Sequence, residues 1–253
     1  MEIIIDDIKI NYIEEGSGEE TVIVLHGWGA SIPTIIPIVN LIKNRYKVYA
    51  IDLPGFGESE EPKRVYDSFD YANLVLEFME KMDIEKSIFI GHSYGGKLSA
   101  IISSLYPEKV DKTVLIDASG LIPKRTLGYY LRVYSFKTLK FFYTKFISGD
   151  TEDEKMKKFY SKFGSDDYRD TEGIMRKIFV TVVNEDIKPL LKDIKCPTLL
   201  IWGDKDEATP LYMAEVFEEE IEDSGLVVLK DTGHYSYLDD YGTFSAVLNS
   251  FLQ

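Results

Sequence analysis

Cysteine is almost absent from this chain, which has one, Cys196, in 253 residues. A lone thiol cannot close an internal disulfide and fits a reducing compartment. It stands before Pro197 at the head of an apolar run, where a buried structural thiol is expected rather than a nucleophile. Histidine is nearly as scarce, and His26, His92 and His234 form neither a Cys/His cluster nor a two-histidine metal pattern, so no metal site is expected. No apolar run approaches the ~20 residues of a membrane span. Met1-Glu2-Ile3-Ile4-Ile5-Asp6-Asp7 lacks the basic start and long apolar core of a secretion signal, so a cytoplasmic protein is expected. Positive charge is outnumbered, 29 Lys and Arg against 43 Asp and Glu, a net charge of −14. That balance argues against nucleic acid or an anionic membrane as partner. A small molecule is the expected ligand, and the chain is expected to be a monomer or homodimer.

What is present is a regular alternation. Hydrophobic residues make up 45% of the chain, enough for one sizeable core. Ile3–Ile5 and Lys9–Glu14 read as edge strands, followed by strands at Thr21–Leu25, Lys47–Ile51, Ser87–Ile90, Lys112–Ile116, Pro197–Trp202 and Leu226–Leu229. Helical periodicity fills the gaps, as in Tyr71, Leu74, Val75, Phe78, Met79 and Met82, with Tyr241 to Phe251 as the closing helix. Pro33 and Pro37 predict an irregular start for the first helix. Such alternation implies a mostly parallel sheet of eight strands with helices on both faces, and ligands in such sheets bind at the carboxyl ends of the strands. From about Leu121 to Leu191 the strands stop. Aromatic stripes (Phe136, Leu139, Phe142, Tyr143, Phe146), a capping box at Thr151-x-x-Glu154 and the set Ile174, Met175, Ile178, Phe179, Val182 predict helices there. The expected division is a core of 1–120 and 192–253 with a helical insertion, 121–191, lying over the sheet edge before the penultimate strand.

The chemistry centres on Ile88-Phe89-Ile90-Gly91-His92-Ser93-Tyr94-Gly95-Gly96-Lys97. A strand ends on a serine between two glycines, and an amphipathic helix follows at once. Gly-x-Ser-x-Gly alone arises by chance in roughly one chain of this length in ten; the flanking strand and helix give it weight. A side chain at Gly91 or Gly95 should strike neighbouring backbone as the chain reverses. The reversal leaves the Ser93 hydroxyl exposed at a helix N-terminus.

A serine hydroxyl needs a base within hydrogen-bond reach. His92 adjoins the serine and should point away, and His26, in the first loop, should brace loops. His234 follows a strand end directly after Gly233 and faces the same sheet edge as Ser93, so it is the expected base. A carboxylate must hold its tautomer. Asp206 lies past the penultimate strand in the order Ser…Asp…His and is favoured, with Asp204 and Asp117 as competitors. The backbone N–H of Tyr94 and that of Trp28, in His26-Gly27-Trp28-Gly29, are the expected oxyanion donors.

With these motifs, together with Asp52-Leu53-Pro54-Gly55-Phe56-Gly57-Glu58-Ser59 and Gly203-Asp204-Lys205-Asp206 with Pro210, the chain resembles an α/β-hydrolase over nearly its whole length. The resemblance implies Ser93, Asp206 and His234 as the triad, 121–191 as the family's cap, and no cofactor. Ser93 speaks against the dehalogenase and epoxide-hydrolase branches, which carry Asp at the elbow. The elbow also differs from the Gly-Gly-Ser-Trp-Gly usual in proline iminopeptidases. The reading is a serine hydrolase of the esterase or lipase-like branch, cleaving a small carboxylic ester with an apolar acyl or aryl group. A carbon–carbon bond hydrolase of ring-fission products is an alternative, weakened by the missing Gly-Pro-Gly run after Trp28. A low-turnover ligand receptor on the same fold is another, and perhydrolase-like side activity is compatible with the same residues.

Overall fold

The computed structural model describes residues 1–123 and 172–253. A single sheet runs through it in the order β1-β2-β4-β3-β5-β6-β7-β8. Its strands are β1 (Glu2–Ile5), β2 (Ile8–Glu15), β3 (Thr21–Leu25), β4 (Lys47–Ile51), β5 (Ser87–His92), β6 (Val110–Ile116), β7 (Thr198–Gly203) and β8 (Ser224–Leu229). β2 is antiparallel to both β1 and β4, and β3 to β8 are parallel to one another. The helices are α1 (Ile32–Ile42), α2 (Ser68–Lys81), α3 (Tyr94–Leu105), α4 (Gly173–Val182), α5 (Lys188–Leu191), α6 (Tyr212–Glu220), α7 (Ser236–Asp239) and α8 (Tyr241–Phe251). No helix among the described residues is long and apolar enough to cross a membrane.

The pleat divides the strand side chains between two cores. Val22, Val24, Val48, Ala50, Ile88, Ile90, Val114 and Ile116 turn one way and meet α1 and α8. Ile23, Leu25, Tyr49, Ile51, Phe89 and Leu115 turn the other way and meet α2, α3 and α4. Burial on both faces explains why these strands read as continuous apolar runs rather than as alternating ones. α1 departs from expectation. It is regular from Ile32 onward, with Pro37 inside it, because Val39 and Ile42 stay locked into the core despite the backbone bond Pro37 cannot donate.

Parallel strands put their carboxyl ends on one edge, and local devices shape the loops there. Asp52, directly after β4, accepts from Ile32 N (2.7 Å), Asn11 Nδ2 (2.8 Å) and Glu58 N (3.0 Å), and so ties together β2, α1 and its own loop. His26 is buried after β3, with Nδ1 2.7 Å from Gly27 O and Nε2 3.0 Å from Leu53 N. Since Leu53 N must donate, Nε2 accepts and Nδ1 carries the proton. Burial holds this ring below the usual histidine pKa. His26 therefore joins the first two strand-end loops, as a bracing residue would.

Of the insertion expected over 121–191, the stripe at 136–146 and the capping box at 151–154 lie outside the described residues. The part after residue 171 contains α4, over the periodic set Ile174 to Val182, and the short α5.

Candidate active site

Ser93 stands between β5 and α3 at φ 51°, a left-handed conformation that non-glycine residues rarely adopt. The surroundings hold it there. Its N–H donates to Ile116 O (2.9 Å), and its carbonyl accepts from Lys97 N and Ser119 N. The flanking glycines are required by space: a Cβ at Gly91 would overlap Gly95 O, and one at Gly95 would overlap Leu25 O. The backbone of α3 thus descends against β3, and the turn residue is left projecting over the sheet edge.

His234, past the end of β8, brings Nε2 to 2.9 Å from Ser93 Oγ and Nδ1 to 2.8 Å from Asp206 Oδ2. With Asp206 ionised, Nδ1 carries the proton and Nε2 is left to accept from the serine. Asp206 is buried, and its other contacts are donors: Ala208 N (2.8 Å) and Thr209 N (3.0 Å) to Oδ1, and Thr209 Oγ1 (2.7 Å) to Oδ2. Burial pushes this carboxyl up, but the His234 and Thr209 hydrogen bonds outweigh it and hold the group below its usual value.

The competing carboxylates lie elsewhere. Asp204 is exposed on the surface. Asp117, past the end of β6, is fully buried and does not meet His234. Its Oδ1 accepts from Gly203 N (2.9 Å), and its Oδ2 from Ser236 N (3.1 Å) and Ser236 Oγ (2.6 Å). Gly203 leads into the Asp206 loop, and Ser236 is two residues past His234. Asp117 is thus the strut between the loops that carry Asp206 and His234. Burial pushes its carboxyl up to about 7, against those donors, which favour the ionised form.

His92 departs in part from the expectation that it turns away. Its ring does not join the serine, yet it lies beside His234, centroids 5.0 Å apart, with Nε2 2.7 Å from the His234 carbonyl oxygen. Only a protonated Nε2 can make that bond, which leaves the buried Nδ1 without a partner. Burial brings its pKa down to about 3, so the ring is a neutral brace behind His234.

Trp28 and Tyr94, named for their amides, both line the cavity above Ser93. Among the described residues neither backbone N–H has an acceptor, as an amide kept for a ligand requires. The cavity measures about 590 Å³, and its wall includes Leu121, Pro123, Phe179, Val182 and Met213. Both ends of the 121–191 segment therefore contribute to it.

Sequence reasoning missed Thr209, Ser236 and a buried ion pair. Lys97, on α3, is 1% exposed and donates to Val182 O (2.7 Å) and Glu185 Oε2 (2.8 Å). Burial pulls its ammonium below the usual lysine value, and Glu185 offsets part of that. The available signal was a lysine at the fourth position of an otherwise small and apolar helix start, Tyr94-Gly95-Gly96-Lys97-Leu98.

Comparison with known proteins agrees with this fold. The sequence model described as alpha/beta hydrolase fold matches residues 20–241. The pimeloyl-[acyl-carrier protein] methyl ester esterase of Wigglesworthia glossinidia brevipalpis is 24% identical over 258 residues, 94% of this chain and 95% of that protein. The 2-hydroxy-6-oxononadienedioate/2-hydroxy-6-oxononatrienedioate hydrolase of Escherichia coli O81 is 27% identical over 266 residues, 97% of this chain and 91% of that protein. Among solved structures, the meta-cleavage product hydrolase of Pseudomonas fluorescens IP01 superposes with a TM-score of 0.75 at 22% identity, over 100% of this chain and 97% of its own.

Proposed function

Because the chain belongs to the α/β-hydrolase fold family, we propose that it is a serine hydrolase cleaving a small carboxylic ester with an apolar acyl or aryl group. The observation that carries this reading is the unbroken relay from Ser93 Oγ through His234 to Asp206, at 2.9 and 2.8 Å.

The steps follow from the positions of the protons. Ser93 Oγ attacks the acyl carbon while His234 Nε2 takes its proton, and the carbonyl oxygen becomes an oxyanion facing the Trp28 and Tyr94 amides. One such donor is worth about 2.7–4 kcal/mol in the transition state. The imidazolium then protonates the leaving alkoxide, and the C–O bond breaks to give an acyl-serine. Water, deprotonated by the same His234, attacks the acyl carbon. The second tetrahedral species collapses to the free acid, and Ser93 regains its proton. Asp206 keeps its charge throughout and stabilises the transient imidazolium. The described ends of 121–191 line the wall of this cavity, as the ends of a cap would. The apolar lining supports an uncharged acyl or aryl group.

Carbon–carbon bond hydrolysis is the second reading, favoured by the similarity to the dienedioate hydrolase. Its substrate bears two carboxylates, whereas the one acidic side chain among the described residues of this cavity wall, that of Glu185, disfavours a carboxylate beside it.

The test is turnover of p-nitrophenyl esters of graded acyl length, beside a ring-fission dienedioate, by the wild type and Ser93→Ala. Ester turnover that vanishes in the variant is the expected result. Turnover that survives Ser93→Ala, or that appears only with the dienedioate, overturns the proposal.

A further inference from the structure

The buried pair Lys97–Glu185 has no place in the relay, yet one of its members reaches the cavity. Glu185 lies three residues past the end of α4, at the return from 121–191 to the core. Its Oε2 meets Lys97 Nζ and its Oε1 accepts from Ser68 N (3.2 Å), at the first turn of α2. A carboxylate held by a buried cation on one side and by a helix N-terminus on the other is fixed in position. The Glu185 side chain keeps 19% of its surface exposed against 2% for Lys97, and Glu185, not Lys97, lines the cavity that Ser93 and His234 share. Glu185 therefore forms part of the cavity wall, and Lys97 does not.

We propose that Glu185 is a specificity-determining residue that bars substrates bearing a carboxylate on the group seated in this cavity, with Lys97 as its fixed counter-ion. The proposal rests on Ser93 being the nucleophile, and it narrows the substrate to neutral esters. An aliphatic residue at position 185 would admit neutral groups equally well, so what the carboxylate adds is rejection of anions. Substituting Glu185 by glutamine removes the negative charge while the Lys97 ammonium stays lodged beneath it, and the wall changes from a compensated ion pair to an uncompensated cation that attracts anions. One unit charge at about 6–10 Å, under an effective dielectric near 20, corresponds to about tenfold to hundredfold in relative rate.

The experiment compares second-order rates of labelling by two fluorophosphonates of equal chain length, one ending in methyl and one in carboxylate. It does not depend on ester turnover. The wild type is expected to react faster with the neutral probe. In Glu185→Gln the neutral-to-anionic rate ratio should fall at least tenfold, and in Lys97→Met it should not fall. The double variant Lys97→Met/Glu185→Gln, which strands no buried charge, covers the case in which the single variant does not fold; its ratio should fall below that of the wild type. An unchanged ratio in a folded Glu185 variant, judged by circular dichroism, overturns the proposal and leaves Glu185 a purely structural anchor. Failure of both probes to label Ser93 in the wild type overturns the nucleophile reading, and the specificity proposal with it.

Discussion

Replacing Asp117 by asparagine should change how stability depends on pH, with a sign opposite to that of an ordinary carboxylate. Burial raises this carboxyl from 3.8 to about 7. Between those values the unfolded chain has released the proton and the folded one retains it, so stability falls as pH rises. The slope approaches about 1.36 kcal/mol per pH unit within the window. The stabilisation is fully present below pH ~4 and is lost once pH passes ~7. Measurements from about pH 5.5 to 8 avoid the isoelectric region near 4.7. Over that range the wild type should lose about 2 kcal/mol relative to Asp117→Asn, which has no proton to exchange there. The variant carries a separate offset that does not vary with pH. Its amide cannot accept from both Gly203 N and the Ser236 pair, which costs about 1–3 kcal/mol at every pH. Urea unfolding followed by the fluorescence of the buried Trp202 gives both numbers. A wild-type-minus-variant difference that stays flat from pH 5.5 to 8 would refute the argument and show Asp117 to be fully ionised in its site.

Thr209→Val removes the hydroxyl that donates to Asp206 Oδ2 and preserves the side-chain shape. A hydrogen bond to a charged group contributes about 1.5–3 kcal/mol, so kcat should fall about tenfold to hundredfold with KM unchanged. Because that hydroxyl helps hold the Asp206 carboxyl down, the acidic edge of the pH–rate profile should move to higher pH; an edge that stays in place contradicts the assignment. His92→Phe removes the donor to the His234 carbonyl and should lower kcat about two- to tenfold, the worth of one neutral hydrogen bond. With a pKa of about 3, His92 does not titrate above pH 5, so the variant's profile should keep both limbs, and loss of a limb would make His92 the base.

The strands were legible because both faces of this sheet are buried, so each strand is an uninterrupted apolar run. Thr21–Leu25 and Lys47–Ile51 were read to the residue, while the elbow strand runs two residues past its predicted end, to His92. The elbow was legible because steric exclusion at Gly91 and Gly95 acts within a few residues of chain. Tertiary structure alone decided the partners. Asp117, Asp204 and Asp206 all follow strand ends on one edge, and nothing local separates them. The separation comes from which loop faces His234 once β6, β7 and β8 lie side by side: Asp206 does, Asp117 turns to Ser236 and Gly203, and Asp204 faces outward. Lys97 and Glu185 are 88 residues apart, and the pair exists only because the return from 121–191 passes over α3. Which residue types stand at the sheet edge, and in what order, was readable along the chain, since that depends on periodicity and on short-range sterics. Tertiary structure decided which of them touch, because contact across strands is set by how far each loop reaches, and loop reach leaves no period in the chain.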